Sequence, residues 1–294
     1  MDLCIRLRHN GHLGQLARDV LRYADPAQVR QALANARQRE SPRVITWRSA
    51  APGDLVARYR RGEHEAVWRE LRAHEAISGA LREEALALAS ETMQRVARSV
   101  DVIAQRLAAR GWKALSGALR AAPRAEDVQV LASVESVTGA PLPPSLRGFW
   151  EVVGGIDFIW DYNDNDEAPD FGVGLALAQM DPLSIEPAMA APHFFEEWQE
   201  GRSSIDADLD EPCTLHLAPD WLHKANLSGG EPYGIELPFL GADPVLVGEE
   251  HALPFVDYLR LALRWGGFPR LERHAENGAV LQFVAAMTRD LEPF

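Results

Sequence analysis

The stretch LASVESVTGAPLPPSLRGFWEVVGG, residues 131–155, decides how the chain is read. Val130, Val134 and Val137 recur three or four apart, which places them on one helical face. Gly139 offers a left-handed stop, and Pro141 blocks any continuation of the helix. Pro143 or Pro144 opens a second helix, with Leu146, Phe149, Trp150 and Val153 as its buried stripe. Gly154-Gly155 ends that helix and turns the chain into Ile156-Asp-Phe-Ile-Trp160. Everything before this two-helix corner reads as helix, and most of the chain beyond it alternates like sheet.

Upstream, residues 11–25 and 26–40 read as short helices broken at Asp25-Pro26, and Val44-Ile45-Thr46-Trp47 could add a short strand. Residues 1–50 are expected to be a helical extension. Asp54 is the expected N-cap of a helix carrying Leu55 and Tyr59. A turn near Gly62 leads to a second helix with Val67, Trp68 and Leu71. Ser78-Gly79 then opens a long helix that runs to about Arg110 and stops at Gly111. The arginines of these helices read as solvated outer faces with intrahelical pairs such as Glu91–Arg95. Ala121-Ala-Pro123 is the expected linker, which sets residues 51–122 apart as a helical region.

Downstream, strands are expected at Val173–Leu177, at Thr214–Leu217, at Tyr233–Leu237 and at Pro244–Val247. Helical spacing returns with Phe255, Tyr258, Leu259, Ala262 and Trp265, and again with Val280, Phe283, Val284 and Met287. Together these elements predict an α+β fold, with helices packed on a mostly antiparallel sheet.

Leu131, Glu135, Gly139, Leu142, Pro143, Phe149, Trp150, Gly154 and Gly155 fill the places of a known pattern: apolar, Glu, Gly, Leu-Pro, aromatic pair, Gly-Gly. The segment resembles the entry to the SUKH superfamily, the Smi/Knr-type proteins. Two later stretches resemble a bacterial branch of it. One is DWLHKANLSGG (220–230) with PYGIELP (232–238); the other is FVDYLR (255–260) leading to WGGFP (265–269). The resemblance covers residues 123–294 and implies a SUKH-like α+β domain there. It gives Glu135, Leu142, Pro143, Trp150, Gly154, Gly155, Lys224, Asn226, Gly229 and Gly230 structural places.

The chain of 294 residues is 47% hydrophobic and 25% charged, ordinary for a globular protein. No apolar run approaches the ~20 residues of a membrane span. Met1–His9 is too short and too charged for a signal peptide, so the cytoplasm is expected. Cys4 and Cys213 make neither a disulfide framework nor a zinc site.

Charge is divided unevenly. Residues 1–150 hold 23 Arg and Lys against 16 Asp and Glu, whereas residues 151–253 hold Arg202 and Lys224 against 22 acids. The latter field repels nucleic acid and attracts basic partners.

Motifs for chemistry are missing. Counted from Asp161, the glycine and glutamate places of an EF-hand loop hold Asp166 and Gly172. His64-Glu65 and His74-Glu75 lack a second His four residues on, and His216 and His223 have no third ligand nearby. There is no Gly-x-Ser-x-Gly elbow or Walker loop, and Gly172-Val-Gly174 lacks a third glycine. No catalytic residue, cofactor or metal is expected.

In the 223–230 loop, Lys224 could hold an anion with Ser228 and the glycine amides. Pairing with a carboxylate is favoured, because an anion would have to enter a negative field.

The carboxylates Asp161, Asp164, Asp166, Glu167 and Asp170, with Asp206, Asp208, Asp210 and Glu211, are the candidate partner-binding residues. The leading expectation is a non-enzymatic protein-binding module. The family resemblance makes it an immunity protein of the toxin–antitoxin kind, neutralising a basic, nuclease-like toxin. A regulatory or scaffolding protein that docks through its helical half stands second, and a carboxylate–metal enzyme third.

Overall fold

In the computed structural model, which describes residues 54–163, 168–188 and 213–294, the helical periodicity of residues 54–110 becomes three helices. They are α1 (Leu55–Arg60), α2 (His64–Arg72) and the thirty-residue α3 (Gly79–Ala108). All belong to the unit Ala50–Phe294. The readings of residues 1–50 fall outside the described residues.

The apolar stripe of α3 is buried as its spacing requires, with Leu88, Met93, Val96, Val100, Ile103 and Leu107 fully enclosed. Asp54 stands at the expected N-cap, but its side chain makes no capping bond. Its backbone is helical (φ −115, ψ −11) rather than in the extended form usual for a capping residue. Glu84 of α3 does the work instead, accepting the Leu55 N–H at 2.7 Å.

The arginines are not simply a solvated face. Glu91 and Arg95 do pair, at 3.3 Å. Yet Arg82 donates to the Leu142 carbonyl at 2.9 Å, Arg106 to the Met287 carbonyl at 2.7 Å, and Arg72 reaches Asp257 at 2.6 Å. A guanidinium carries five donors in a planar fork, so one side chain can tie together backbone and carboxylates of separate elements.

The expected linker, Ala121-Ala-Pro123, begins in a strand. Arg120–Ala121 (β1) pairs antiparallel with Gly155–Asp157 (β2), matching Ala121 to Gly155, and β2 pairs with Ser184–Ile185 (β3). Helices before Pro123 and elements after it contribute to one buried core.

The decisive corner forms as read. Helix α4 (Asp127–Thr138) ends on Gly139 at φ 69, and α5 (Pro144–Gly148) follows with Pro at its first turn. The chain continues as one π-helical turn, Phe149–Val153, and Leu146, Phe149, Trp150 and Val153 are at most 1% exposed. Glu135 fastens the corner: its Oε1 accepts the Leu142 N–H at 2.9 Å and Arg147 Nη1 at 3.0 Å.

No strand forms at Val173–Leu177. Phe171, Gly172 and Gly174 all take positive φ (52, 75 and 69), so the alternation there is that of a turn, followed by a 3-10 turn at Leu177–Gln179. β4 (Cys213–Ala218) and β5 (Tyr233–Leu237) form a two-stranded antiparallel sheet from Cys213↔Leu237 to Ala218↔Tyr233. The Pro244–Val247 segment makes single bridges, Gly234↔Val247 and Val245↔Pro254, rather than a strand. Glu186 N–H donates to the Leu217 carbonyl at 2.7 Å and ties the two sheets. Helices α6 (Phe255–Arg264) and α7 (Gly278–Thr288) close the fold, α7 being capped by the Asn277 side chain. The fold is α+β, with helices and small antiparallel sheets around a shared core.

Candidate functional site

Of the nine candidate carboxylates, Asp161 and Asp170 lie among the described residues; Asp164, Asp166, Glu167, Asp206, Asp208, Asp210 and Glu211 do not. Asp161 accepts the Asn163 N–H at 3.0 Å and Asp170 the Gly172 N–H at 2.8 Å, both local Asx turns. These turns bracket the acid-rich segment, and Asp170 is exposed. Glu231 and Glu236 add further exposed carboxylates.

Four acids of the same stretch are instead buried: Asp181, Asp220, Asp243 and Glu249. Each has a basic partner, as a buried carboxylate requires. Arg72 reaches Asp243 at 2.8 Å, Lys224 reaches Asp181 at 2.8 Å, and His223 and His251 bond Asp220 and Glu249. Composition alone had assigned none of these an internal role.

Lys224 therefore does meet a carboxylate. It is 0% exposed, its ammonium lies 4.4 Å from the Tyr233 ring centroid, and the Tyr233 hydroxyl donates to Asp181 at 3.2 Å. Asp181 holds this position from a left-handed backbone, φ 51. Burial, followed by the Asp181 carboxylate, drives the Tyr233 phenol far above its ordinary pKa, so it serves as a donor.

The rest of the loop closes on Asp220. Its carboxylate takes the Leu222 N–H at 2.8 Å, the Gly230 N–H and the His223 ring. Burial pushes Asp220 up, but these bonds outweigh it and hold it below the usual carboxylate range. Asn226 turns the chain with φ 57. At Gly229 a Cβ would lie 2.5 Å from Asp220 Oδ1, so the close approach requires glycine. Lys224 and the Gly230 amide, two donors an incoming anion would need, are thus taken by Asp181 and Asp220.

One cluster carried no sequence signal beyond Glu249-Glu250-His251. The His251 ring is held between Glu249 and Glu272, while Glu250 faces it at 4.0 Å and also pairs with Arg270 and Arg273. Burial pulls the imidazole pKa down, but the two carboxylates outweigh it and raise it above the ordinary value; burial raises Glu249 as well. Both shifts mean that the folded state binds protons more tightly than the unfolded one. The contribution of His251 is complete below the unfolded histidine pKa, roughly 6.5, and is lost as pH rises through the raised folded value. Urea unfolding of the protein and of His251→Gln between pH 6 and pH 9 should show a stability gap that shrinks as pH rises; a constant gap contradicts the assignment.

Among the described residues no group of three or more His, Cys, Asp and Glu side chains could hold a metal ion, and no helix is long and apolar enough to cross a membrane. Comparison of the chain with protein-family models, with curated proteins and with solved structures gave no match.

Proposed function

We propose that the chain is a non-enzymatic protein-binding module of the SUKH type, an immunity protein that neutralises a basic, nuclease-like toxin through the acidic surface of residues 151–253. The observation that carries this reading is the partition of charge. That stretch has Arg202 and Lys224 against 22 acids, and Lys224 is fully buried on Asp181. Within the stretch this leaves Arg202 to moderate the exposed acids. A nuclease active site is built to receive phosphates, and a carboxylate-rich face is complementary to it. The fastening of the Pro-Leu-Pro corner by Glu135 supports the SUKH reading, because it gives the motif glutamate a physical task.

The test reverses charge at Asp161 and Asp170 together with Asp206 and Asp208, each to lysine, with the partner captured on the tagged wild-type protein. At low salt the quadruple variant should associate with that partner at least about tenfold more slowly, since electrostatic steering contributes ~10–1,000-fold to on-rates. Unchanged association removes the acidic-surface reading.

A further inference from the structure

Two adjoining clefts lie between α2 and α6, one of about 620 Å³ and one of about 280 Å³. The larger is of the size that encloses small organic ligands. They share Glu65, Arg69, Arg260 and Arg264, so the junction between them is rich in arginine. Although the chain is acidic, neither cleft is lined by a charged residue from the stretch 151–253.

The charges around the junction are unequally satisfied. Arg260 is committed, to Asp257 at 2.6 Å, to the Phe294 main-chain oxygen at 2.7 Å and to the His64 carbonyl at 3.0 Å. Arg72 is held by Asp243 and Asp257, and Glu292 by Arg98 at 2.5 Å. Arg69 has only a 3.9 Å contact with Glu65, and Arg264 has no ion pair among the described residues. His64 is pushed towards its neutral form by burial and then by Arg95 and Arg260, so the positive charge at the junction is that of the guanidinium groups.

The larger cleft also has an apolar side, made by Leu263, Leu291 and Phe294. Ser99 lines it too, and its buried hydroxyl has no hydrogen-bond partner among the described residues. A buried hydroxyl without a partner is a destabilising feature unless something supplies one.

We infer that this cleft binds a small amphiphilic organic anion. Its carboxylate or phosphate head lies between Arg69 and Arg264, and its apolar body lies against Leu263, Leu291 and Phe294. A guanidinium pair favours planar or tetrahedral oxyanions through charge-assisted bonds. The site is independent of the acidic-surface reading.

Isothermal titration of the full chain at low salt, with phenyl phosphate, benzoate, inorganic phosphate and hexaglutamate as probes, tests the inference. Phenyl phosphate or benzoate should bind one to one. Phenyl phosphate should bind several-fold tighter than inorganic phosphate, because only the former has an apolar body. Arg69→Ala with Arg264→Ala should weaken binding by about tenfold or more, while Arg124→Ala leaves it unchanged. Both replaced arginines are exposed, so the double variant is expected to fold, and a circular dichroism melt confirms it. The inference is overturned if neither phenyl phosphate nor benzoate binds at millimolar concentration, or if the double variant binds as the wild type does. Equal affinity for phenyl and inorganic phosphate overturns it too. So does binding of hexaglutamate alone, which would make the cleft a peptide groove.

Discussion

Replacing Lys224 with methionine is expected to lower the free energy of unfolding by about 3–5 kcal/mol, because it strands a buried carboxylate without its cation. Lys224 and Asp181 are both wholly enclosed, 2.8 Å apart, and the Tyr233 hydroxyl alone cannot neutralise Asp181. The loss should lie in the unpaired charge more than in missing packing, since methionine fills much of the lysine volume. Adding Asp181→Asn to Lys224→Met removes the charge while keeping a residue type that tolerates φ 51. The double variant should recover at least about 1–2 kcal/mol of the loss, the mark of direct coupling in a double-mutant cycle. Urea unfolding at neutral pH measures both. A Lys224→Met protein within about 1 kcal/mol of wild type contradicts the role assigned to this pair.

Gly154→Ala is expected to be the most damaging small substitution in the decisive corner. Gly154 has φ 88, and a Cβ there would lie 2.1 Å from the Ala121 carbonyl oxygen and 2.8 Å from Pro123 N. Both contacts are backbone, so neither can rotate away, and relief requires β1 to move off β2. The expected cost exceeds about 4 kcal/mol, in the range where a folded protein is often not recovered. Thermal denaturation reads it, with soluble yield as the fallback. A melting point near that of the wild type would mean that β1 yields freely, against its place in the three-stranded sheet.

Both sites were visible in the sequence to different degrees. Gly154-Gly155 was legible as the end of a helix, because a short apolar stripe leads directly into the glycine pair. Its second task, making room for β1, was not. The partner segment Arg120-Ala121 is two residues long, and its pairing with Gly155 and Ile156 is set by tertiary contact rather than local pattern. Ala121, the second residue of that strand, therefore reads as the start of the Ala121-Ala-Pro123 linker. Lys224 stood out as one of two cations in an acidic stretch, which pointed to a carboxylate partner. Asp181 could not be named, because it lies 43 residues away across an irregular segment.

Alternation misled where backbone conformation overrode it. Val173, Leu175 and Leu177 have a strand's spacing, yet positive φ at Phe171, Gly172 and Gly174 makes that spacing the pitch of a turn. β4 and β5 were legible because Thr214–Leu217 and Tyr233–Leu237 alternate in sequence and pair with each other, the one irregularity falling between His216 and Ala218. Charge counting identified the acidic stretch but not its division into exposed carboxylates and the buried Asp181, Asp220, Asp243 and Glu249. Burial of an acid depends on the basic partner it meets: His223 and His251 are local to Asp220 and Glu249, but Lys224 and Arg72 reach Asp181 and Asp243 from distant elements.

The most direct test of the proposed acidic-surface role is capture of a partner from the protein's native cells on the tagged chain at low salt, eluted with rising salt, with a nuclease assay of each fraction. A basic protein released stepwise by salt, whose nuclease activity falls when purified wild-type chain is added back but not when the quadruple charge-reversed variant is added, is the predicted result. Retained proteins that are neither basic nor salt-released, or a nuclease inhibited equally by wild type and variant, would contradict it.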